Sequence, residues 1–275
     1  MKPKDLLFDW MWRHFPAERI PPAAETLWNF LEYLQVEARN FNLTAIHDMR
    51  EMVERHVIDS LAPFAAPECP LRAECAGSLL DPRAAASPDA NTQSESRPAP
   101  RVIDIGSGNG LPGLALAVAF PAWRVTLLES NRKKCEFLSR AAEKIGAANV
   151  EVACERAENF GRDPARRDAH DLATARALAV LPVALELCLP LVRLGGWMLA
   201  YKGRECQAEI EVSNKAFGEL GARLESSPLY PVGDSPAQHT AVWIRKTSAT
   251  PERYPRRDGM PRKRPLWEKP LPTSD

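Results

Sequence analysis

Residues 101–120, RVIDIGSGNGLPGLALAVAF, set four glycines within eight positions between two apolar runs. A loop that leaves a strand and enters a helix must turn tightly and let a ligand approach its backbone. Glycine meets both needs, through positive φ angles and the absence of a Cβ. Two ligand chemistries fit the spacing. Gly108-Asn109-Gly110-Leu111-Pro112-Gly113 spells G-x-G-x-x-G, a dinucleotide fingerprint, whereas Asp104 followed by Gly106-Ser107-Gly108-Asn109-Gly110 spells the acid-led G-x-G-x-G of an adenosylmethionine loop. Asp104 favours the second, because a carboxylate repels a pyrophosphate and attracts an amino group and a sulfonium. A strand-end acid could instead bond the loop's own backbone amides.

Further acids and one arginine stand where ligands bind in open α/β sheets, beyond the carboxyl ends of the strands. Glu129 closes the run VTLLE and is placed to accept ribose hydroxyls, which both cofactors carry. ERAENF follows the third strand-like run, so the backbone of Ala157 and the side chain of Glu158 are candidates for contact with an adenine. Arg176, in TARAL, falls at the end of the fourth run, as a ligand contact or as a surface ion pair.

These positions need a scaffold, and the sequence describes one. From residue 101, β-branched runs (RVIDI, WRVTLLE, NVEVAC, HDLATA, GWMLAYKG) alternate with helical stretches (LPGLALAVAF, NRKKCEFLSRAAEKIG, LPVALELCLPLVRL, ECQAEIEVSNKAFGEL). That alternation predicts βαβ units and a mostly parallel sheet. RLESSPLYPV and HTAVWIRK lie too close together for a helical crossover and are expected as an antiparallel pair at the sheet's edge. Such a pair is the layout of adenosylmethionine-dependent methyltransferases and is absent from plain dinucleotide folds.

Residues 1–66 read as a helical region. Leu27, Phe30, Leu31 and Leu34 follow an i, i+3, i+4, i+7 stripe. Asp48 with Glu51 resembles a capping box that opens REMVERHVIDSLAPF, with Val53, Val57 and Leu61 on one face. Residues 67–100 are rich in Pro, Ala and Ser and predict a linker, mobile over 82–99. Residues 101–247 form the α/β core. Residues 248–275 are proline-rich and basic, and an extended tail is expected there. From residue 245 onward nine Lys and Arg face four Asp and Glu.

Lysine plus arginine and aspartate plus glutamate balance at 36 each, so net charge points to no partner, and an apolar fraction of 45% supports a sizeable core. The N-terminus does not read as a signal peptide, and no run approaches the length of a membrane span. Six scattered cysteines (Cys69, Cys75, Cys135, Cys154, Cys188, Cys206) have no metal-ligand spacing and read as reduced thiols in a soluble cytoplasmic protein with no metal.

NLTAI, VERHVIDSL, DIGSGNGLPGLALA, LLESNRKKCEFL, DLATARAL, YKG and YPRRDGMPRKRPL occur in this order. Together they resemble the bacterial small-subunit ribosomal RNA guanine-N7 methyltransferases (RsmG, also called GidB), over roughly 25–67 and 101–266. The resemblance implies a Rossmann-like class I fold with a seven-stranded sheet whose last strand is antiparallel, plus N-terminal helices. It implies S-adenosyl-L-methionine as cofactor, with contacts at Gly106, Leu111, Ala157, Glu158 and Arg176. Asp104, Gly108 and Glu129 join this set from the loop and ribose arguments above. The chain departs from the family pattern in its long 67–100 segment and in Glu129, where aspartate is common. His170 stands where the family often has Phe, and no function is attached to it.

The target implied is N7 of a guanine in the decoding-region loop of 16S ribosomal RNA. That atom carries a lone pair and no proton, so no general base is expected and orientation must do the work. Duplex RNA hides N7 in its deep major groove, which favours an accessible loop base that can be flipped out of its stack. Asn42, His56 and Lys202 are candidates for RNA contact. So is the basic tail, including Arg256 and Arg257, with phosphate as its partner. The implied partner is 16S ribosomal RNA or the small ribosomal subunit, with no membrane and no DNA, and a monomer is expected. Two other readings stay open at this point: a nicotinamide-dependent oxidoreductase, and a ribosome assembly factor without turnover.

Overall fold

The computed structural model describes residues 1–15, 20–71, 99–233 and 238–267. Most of the 67–100 segment lies outside the described residues, and with it the expected mobile stretch.

Among the described residues eight strands form one sheet: β1 (Arg101–Ile105), β2 (Arg124–Glu129), β3 (Val150–Cys154), β4 (His170–Arg176), β5 (Val192–Gly203), β6 (Ala222–Ser226), β7 (Leu229–Pro231) and β8 (Gln238–Lys246). The order is β3-β2-β1-β4-β5-β8-β6, and β7 also pairs with β8. The first five strands are parallel, and β8 runs antiparallel to both neighbours. β6 and β7 meet β8 on the side away from β5, one at each end, so they are two pieces of a single interrupted edge strand. The antiparallel pair read from the sequence is therefore present, with the last strand inserted inside the edge rather than added to it.

The helices of the core are α5 (Gly113–Ala119), α6 (Arg132–Lys144), α7 (Ala157–Phe160), α8 (Leu181–Cys188), α9 (Gln207–Glu211) and α10 (Asn214–Leu220). Two differ from the sequence pattern. The apolar run after Leu181 is not helical to its end: a 3-10 turn carries Pro190, and Val192 already belongs to β5. The run after residue 205 breaks into α9 and α10, where the Ser213 hydroxyl turns back onto the Glu209 carbonyl at 2.7 Å.

At the N-terminus stand α1 (Pro3–His14), α2 (Ile20–Glu37), α3 (Met49–Met52), a π turn (Val53–Ile58) and α4 (Asp59–Ala65). Asp48 caps α3 by accepting from the Glu51 amide at 2.9 Å. The stripe Leu27, Phe30, Leu31 and Leu34 is fully buried, as are Val53, Val57 and Leu61. These helices do not form a core of their own. They share one cluster with Val102, Leu127, Leu199 and Trp243 on one face of the sheet, while α8 and α10 cover the other face.

Two sequence expectations are corrected here. Cys135 and Cys154, expected as reduced thiols, are joined as a disulfide between α6 and β3, with Cα atoms 5.8 Å apart. Sequence separation hid the pairing, because it depends on α6 packing against β3. The C-terminal segment, expected as an extended tail, is bound to the core over its described length. Tyr254, Pro261 and Leu266 are buried. The Arg167 guanidinium donates to the carbonyls of Pro251 at 3.1 Å and Tyr254 at 2.6 Å, and also to that of Thr250. The segment ends in a short helix, α11 (Met260–Lys263), beside the carboxyl ends of the strands.

Candidate functional site

The loop after β1 turns through Gly106, Gly108 and Gly110, with φ of 73°, 54° and 91°. Its start is pinned by the Gly106 amide donating to Leu128 O at 2.8 Å, and α5 then begins at Gly113. A Cβ on Gly113 would lie 2.2 Å from Leu127 Cδ2, so only glycine lets this helix sit so close to the sheet.

Asp104 is 1% exposed beneath that loop. Its Oδ1 accepts from the Thr174 hydroxyl at 2.7 Å and its Oδ2 from the Gly113 amide at 3.3 Å. Burial pushes its carboxyl above the ordinary range against these bonds. Asp104 thus braces the loop from below, through Thr174 and Gly113. The carboxylate is sealed under the backbone it supports.

Glu129 sits at the carboxyl end of β2. It accepts the Gly108 amide on one oxygen at 3.0 Å, and the Ser130 and Asn131 amides on the other at 2.7 and 2.8 Å. One acid therefore ties the glycine loop to the turn into α6. Four lone-pair sites on a carboxylate leave capacity beyond three amides.

Beyond β3, Glu158 is 4% exposed. Burial alone would raise its carboxyl, yet the Gly259 amide and the Arg156 guanidinium, each 3.0 Å from Oε1, hold it below the ordinary range. Ala157 opens α7 next to it. A cleft at the carboxyl ends of the strands is lined by Gly106, Ala157, Glu158, Leu128, Leu178 and Arg262, among others. Arg262 reaches it from α11 by donating to Leu178 O at 2.9 Å. The glycine loop, the acid after β3 and the C-terminal segment thus converge on one place.

The cleft offers an adenosine ligand an apolar side and a polar one. Its apolar wall at Ile105, Leu128, Leu178 and Leu187 suits a base, and Gly106 keeps the floor clear of a Cβ that would meet Leu178 Cδ1 at 2.7 Å. Its polar side carries Glu155 and Glu158 together with Arg156 and Arg262, so the charge there is mixed.

The remaining candidates separate. Arg176, at the end of β4, ion-pairs with Asp59 at 3.0 Å, and the chain turns immediately after it at Ala177, φ 52°. Leu111 is buried, and its amide donates to Asn109 Oδ1 at 3.2 Å. Asn42 and Arg257 are exposed. Three other RNA-contact candidates, His56, Lys202 and Arg256, are engaged within the chain. The His56 ring is buried against Thr44 Oγ1 at 2.9 Å, and burial, with the Arg176 charge, lowers its pKa to about 4. Lys202 is held by Glu209 Oε1 at 2.7 Å and Ala179 O at 2.8 Å. Arg256 grips the fully buried Glu186 through Nε and Nη2, at 2.8 and 2.6 Å. Sequence reasoning missed Asp59, Glu186 and Leu178. Asp59 stood inside the quoted RHVIDS, but nothing local marks it as the partner of an arginine 117 residues away.

A parallel sheet with an inserted antiparallel last strand, a glycine loop after β1 and acids after β2 and β3 define a Rossmann-like class I methyltransferase dependent on S-adenosyl-L-methionine. Residues 89–231 match the family GidB, rRNA small subunit methyltransferase G. The chain belongs to this family. Proteins named ribosomal RNA small subunit methyltransferase G are similar over most of its length. The one from Symbiobacterium thermophilum is 37% identical over 91% of this chain and 93% of its own. The one from Chloroflexus aggregans is 37% identical over 86% and 87%. The one from Thermotoga neapolitana is 46% identical over 60% of this chain and 71% of its own. The cofactor is S-adenosyl-L-methionine, and neither the nicotinamide oxidoreductase nor the non-catalytic assembly factor finds support.

Proposed function

We propose that this methyltransferase acts on N7 of a guanine in the decoding-region loop of 16S ribosomal RNA, presented by the RNA or the small subunit. The observation that carries the reading is the cleft itself, in a chain of the small-subunit ribosomal RNA methyltransferase family: Gly106, Ala157 and Glu158 meet there, with Glu129 at the next strand end. In this reading the main chain of Gly106, Gly108 and Leu111 cradles the cofactor. Glu129 takes the ribose, Ala157 and Glu158 flank the adenine, and Arg176 holds the far end. When bound, the cofactor supplies an electrophilic methyl group on its sulfonium.

The chain's part is placement. N7 needs no proton removed, so residues that orient the base and exclude water suffice. As positive charge moves from sulfur to the purine, acceptors fixed in advance near the base lower the barrier more than a titrating group would. Asn42 and Arg257, both exposed, remain candidates for contact with the RNA, Arg257 through phosphate.

The test is methyl transfer from labelled S-adenosyl-L-methionine to small subunits from cells lacking the endogenous enzyme, followed by mapping of the modified base. Label on guanine N7 in the decoding-region loop, lost in Gly106→Val, supports the reading. Label on another base, or cofactor binding with no transfer to subunits or free RNA, rejects it.

A further inference from the structure

The Arg176 guanidinium is anchored through a single nitrogen. Its Nη1 donates to Asp59 Oδ2 at 3.0 Å, Ser60 Oγ at 3.1 Å, and the carbonyls of His56 at 3.2 Å and Arg55 at 3.4 Å. Among the described residues no partner meets Nε or Nη2. Those two N–H groups form the side of the guanidinium that engages a carboxylate in bidentate fashion. The carbonyls come from the π turn Val53–Ile58, a widened helical geometry that recurs at functional sites.

Asp59 is the centre of this anchor. It is 2% exposed, and its second oxygen accepts from Tyr230 Oη at 2.8 Å and His239 Nδ1 at 2.7 Å. Three donors thus reach one buried carboxylate from β4, β7 and β8, while Asp59 itself belongs to the N-terminal helices. Burial opposes its charge, but the His239 hydrogen bond and the Arg176 charge hold the carboxyl below its ordinary range. A buried carboxylate so surrounded fixes what it touches, because every partner would be left unpaired by its movement.

We propose that Asp59 is a positioning residue: it clamps Arg176 by Nη1 so that Nε and Nη2 stay free to bind the carboxylate of the cofactor's methionine portion. The inference rests on the reading that Arg176 contacts the cofactor. It gives the RHVIDS segment a task in cofactor binding that the segment performs without touching the ligand.

The test compares two ligands by calorimetry on the full chain. S-adenosylhomocysteine carries the methionine-derived carboxylate, and 5′-methylthioadenosine lacks it. Asp59→Asn and Arg176→Gln are each expected to weaken S-adenosylhomocysteine about tenfold while 5′-methylthioadenosine stays within about twofold. The double variant is expected to bind no more weakly than Arg176→Gln alone, since both changes break one interaction. Should Asp59→Asn fail to fold, Ser60→Ala removes one Nη1 contact without touching a charge, and the same ligand-selective loss is expected at about twofold to threefold. Equal weakening of both ligands, unchanged binding of both, or losses that multiply in the double variant overturn the proposal. None of these readouts uses RNA, so a chain that binds cofactor normally yet methylates no guanine N7 would reject the proposed target and leave this inference standing.

Discussion

Asp104 and Gly113 show how a single residue type can be legible while its role is not. An acid two residues ahead of the glycine loop is plain in the sequence, and it suggested a ligand contact. Its actual partners, Thr174 on β4 and the Gly113 amide, depend on strand order, which no local pattern carries. The glycines were legible in role as well as type, because positive φ is a property of the residue itself. Gly113→Ala should therefore destabilise the fold by about 1–3 kcal/mol in urea denaturation, as overpacking against Leu127 and Asp104. A neutral result would mean that α5 can lift from the sheet without loss. Glu129→Gln tests the acid that ties the loop to the turn after β2 and is proposed to take the ribose. An amide cannot accept on both ends, so its NH2 would meet either the Gly108 amide or those of Ser130 and Asn131. Loss of about 1–3 kcal/mol there corresponds to cofactor binding weaker by about fivefold to 150-fold. Unchanged affinity in calorimetry would remove Glu129 from the site.

At the scale of elements, the parallel strands followed directly from the β-branched runs, whereas the C-terminal segment did not. Its prolines and basic residues read as solvated chain. It folds because Tyr254 and Leu266 find the core cluster beneath α8, and because Arg256 meets Glu186 on that helix 70 residues away. The neighbouring arginines thereby divide. Arg256→Ala leaves the Glu186 carboxylate buried and unpaired, and should cost about 3–5 kcal/mol of stability by chemical denaturation. Arg257 is exposed, so Arg257→Ala should leave the unfolding midpoint within experimental error. If it contacts phosphate, its loss should weaken binding to ribosomal RNA and reduce the salt slope by about one counterion. A variant with unchanged slope would place the RNA elsewhere. The same segment supplies the Gly259 amide to Glu158 and Arg262 to the cleft, so its docking and the shape of the cleft are one event.

Across the whole molecule, the N-terminal helices and the sheet share a core, with Phe64 of α4 within 5.6–5.8 Å of Phe120, Trp123 and Trp243. Stability lost anywhere in that core is lost by the chain as a unit, which makes pH a useful probe. His56 and His170 are buried neutral, both lowered to about 4 chiefly by burial, from an ordinary value of 6.5. Above pH 6.5 neither form is charged and the histidines contribute no pH dependence. As pH falls below 6.5 the unfolded chain takes up protons that the folded chain refuses, so stability declines until about pH 4, where the folded rings protonate too. The shift amounts to at most about 3 kcal/mol for each ring. Lowered carboxyls at Asp59 and Glu158 add a further loss at the acid end, and the raised carboxyl of Asp104 opposes it. Urea midpoints should therefore fall steadily from pH 6.5 to pH 4.5. His170 lies at the start of β4, at the opposite end of that strand from Arg176, with its ring on the Leu191 carbonyl at 3.1 Å. His170→Phe should thus flatten the decline by about half while leaving cofactor affinity unchanged. A wild-type midpoint that stays level between pH 7 and pH 5 would show that the rings are already solvated in the folded chain, and that the shared core is looser around them than their burial implies.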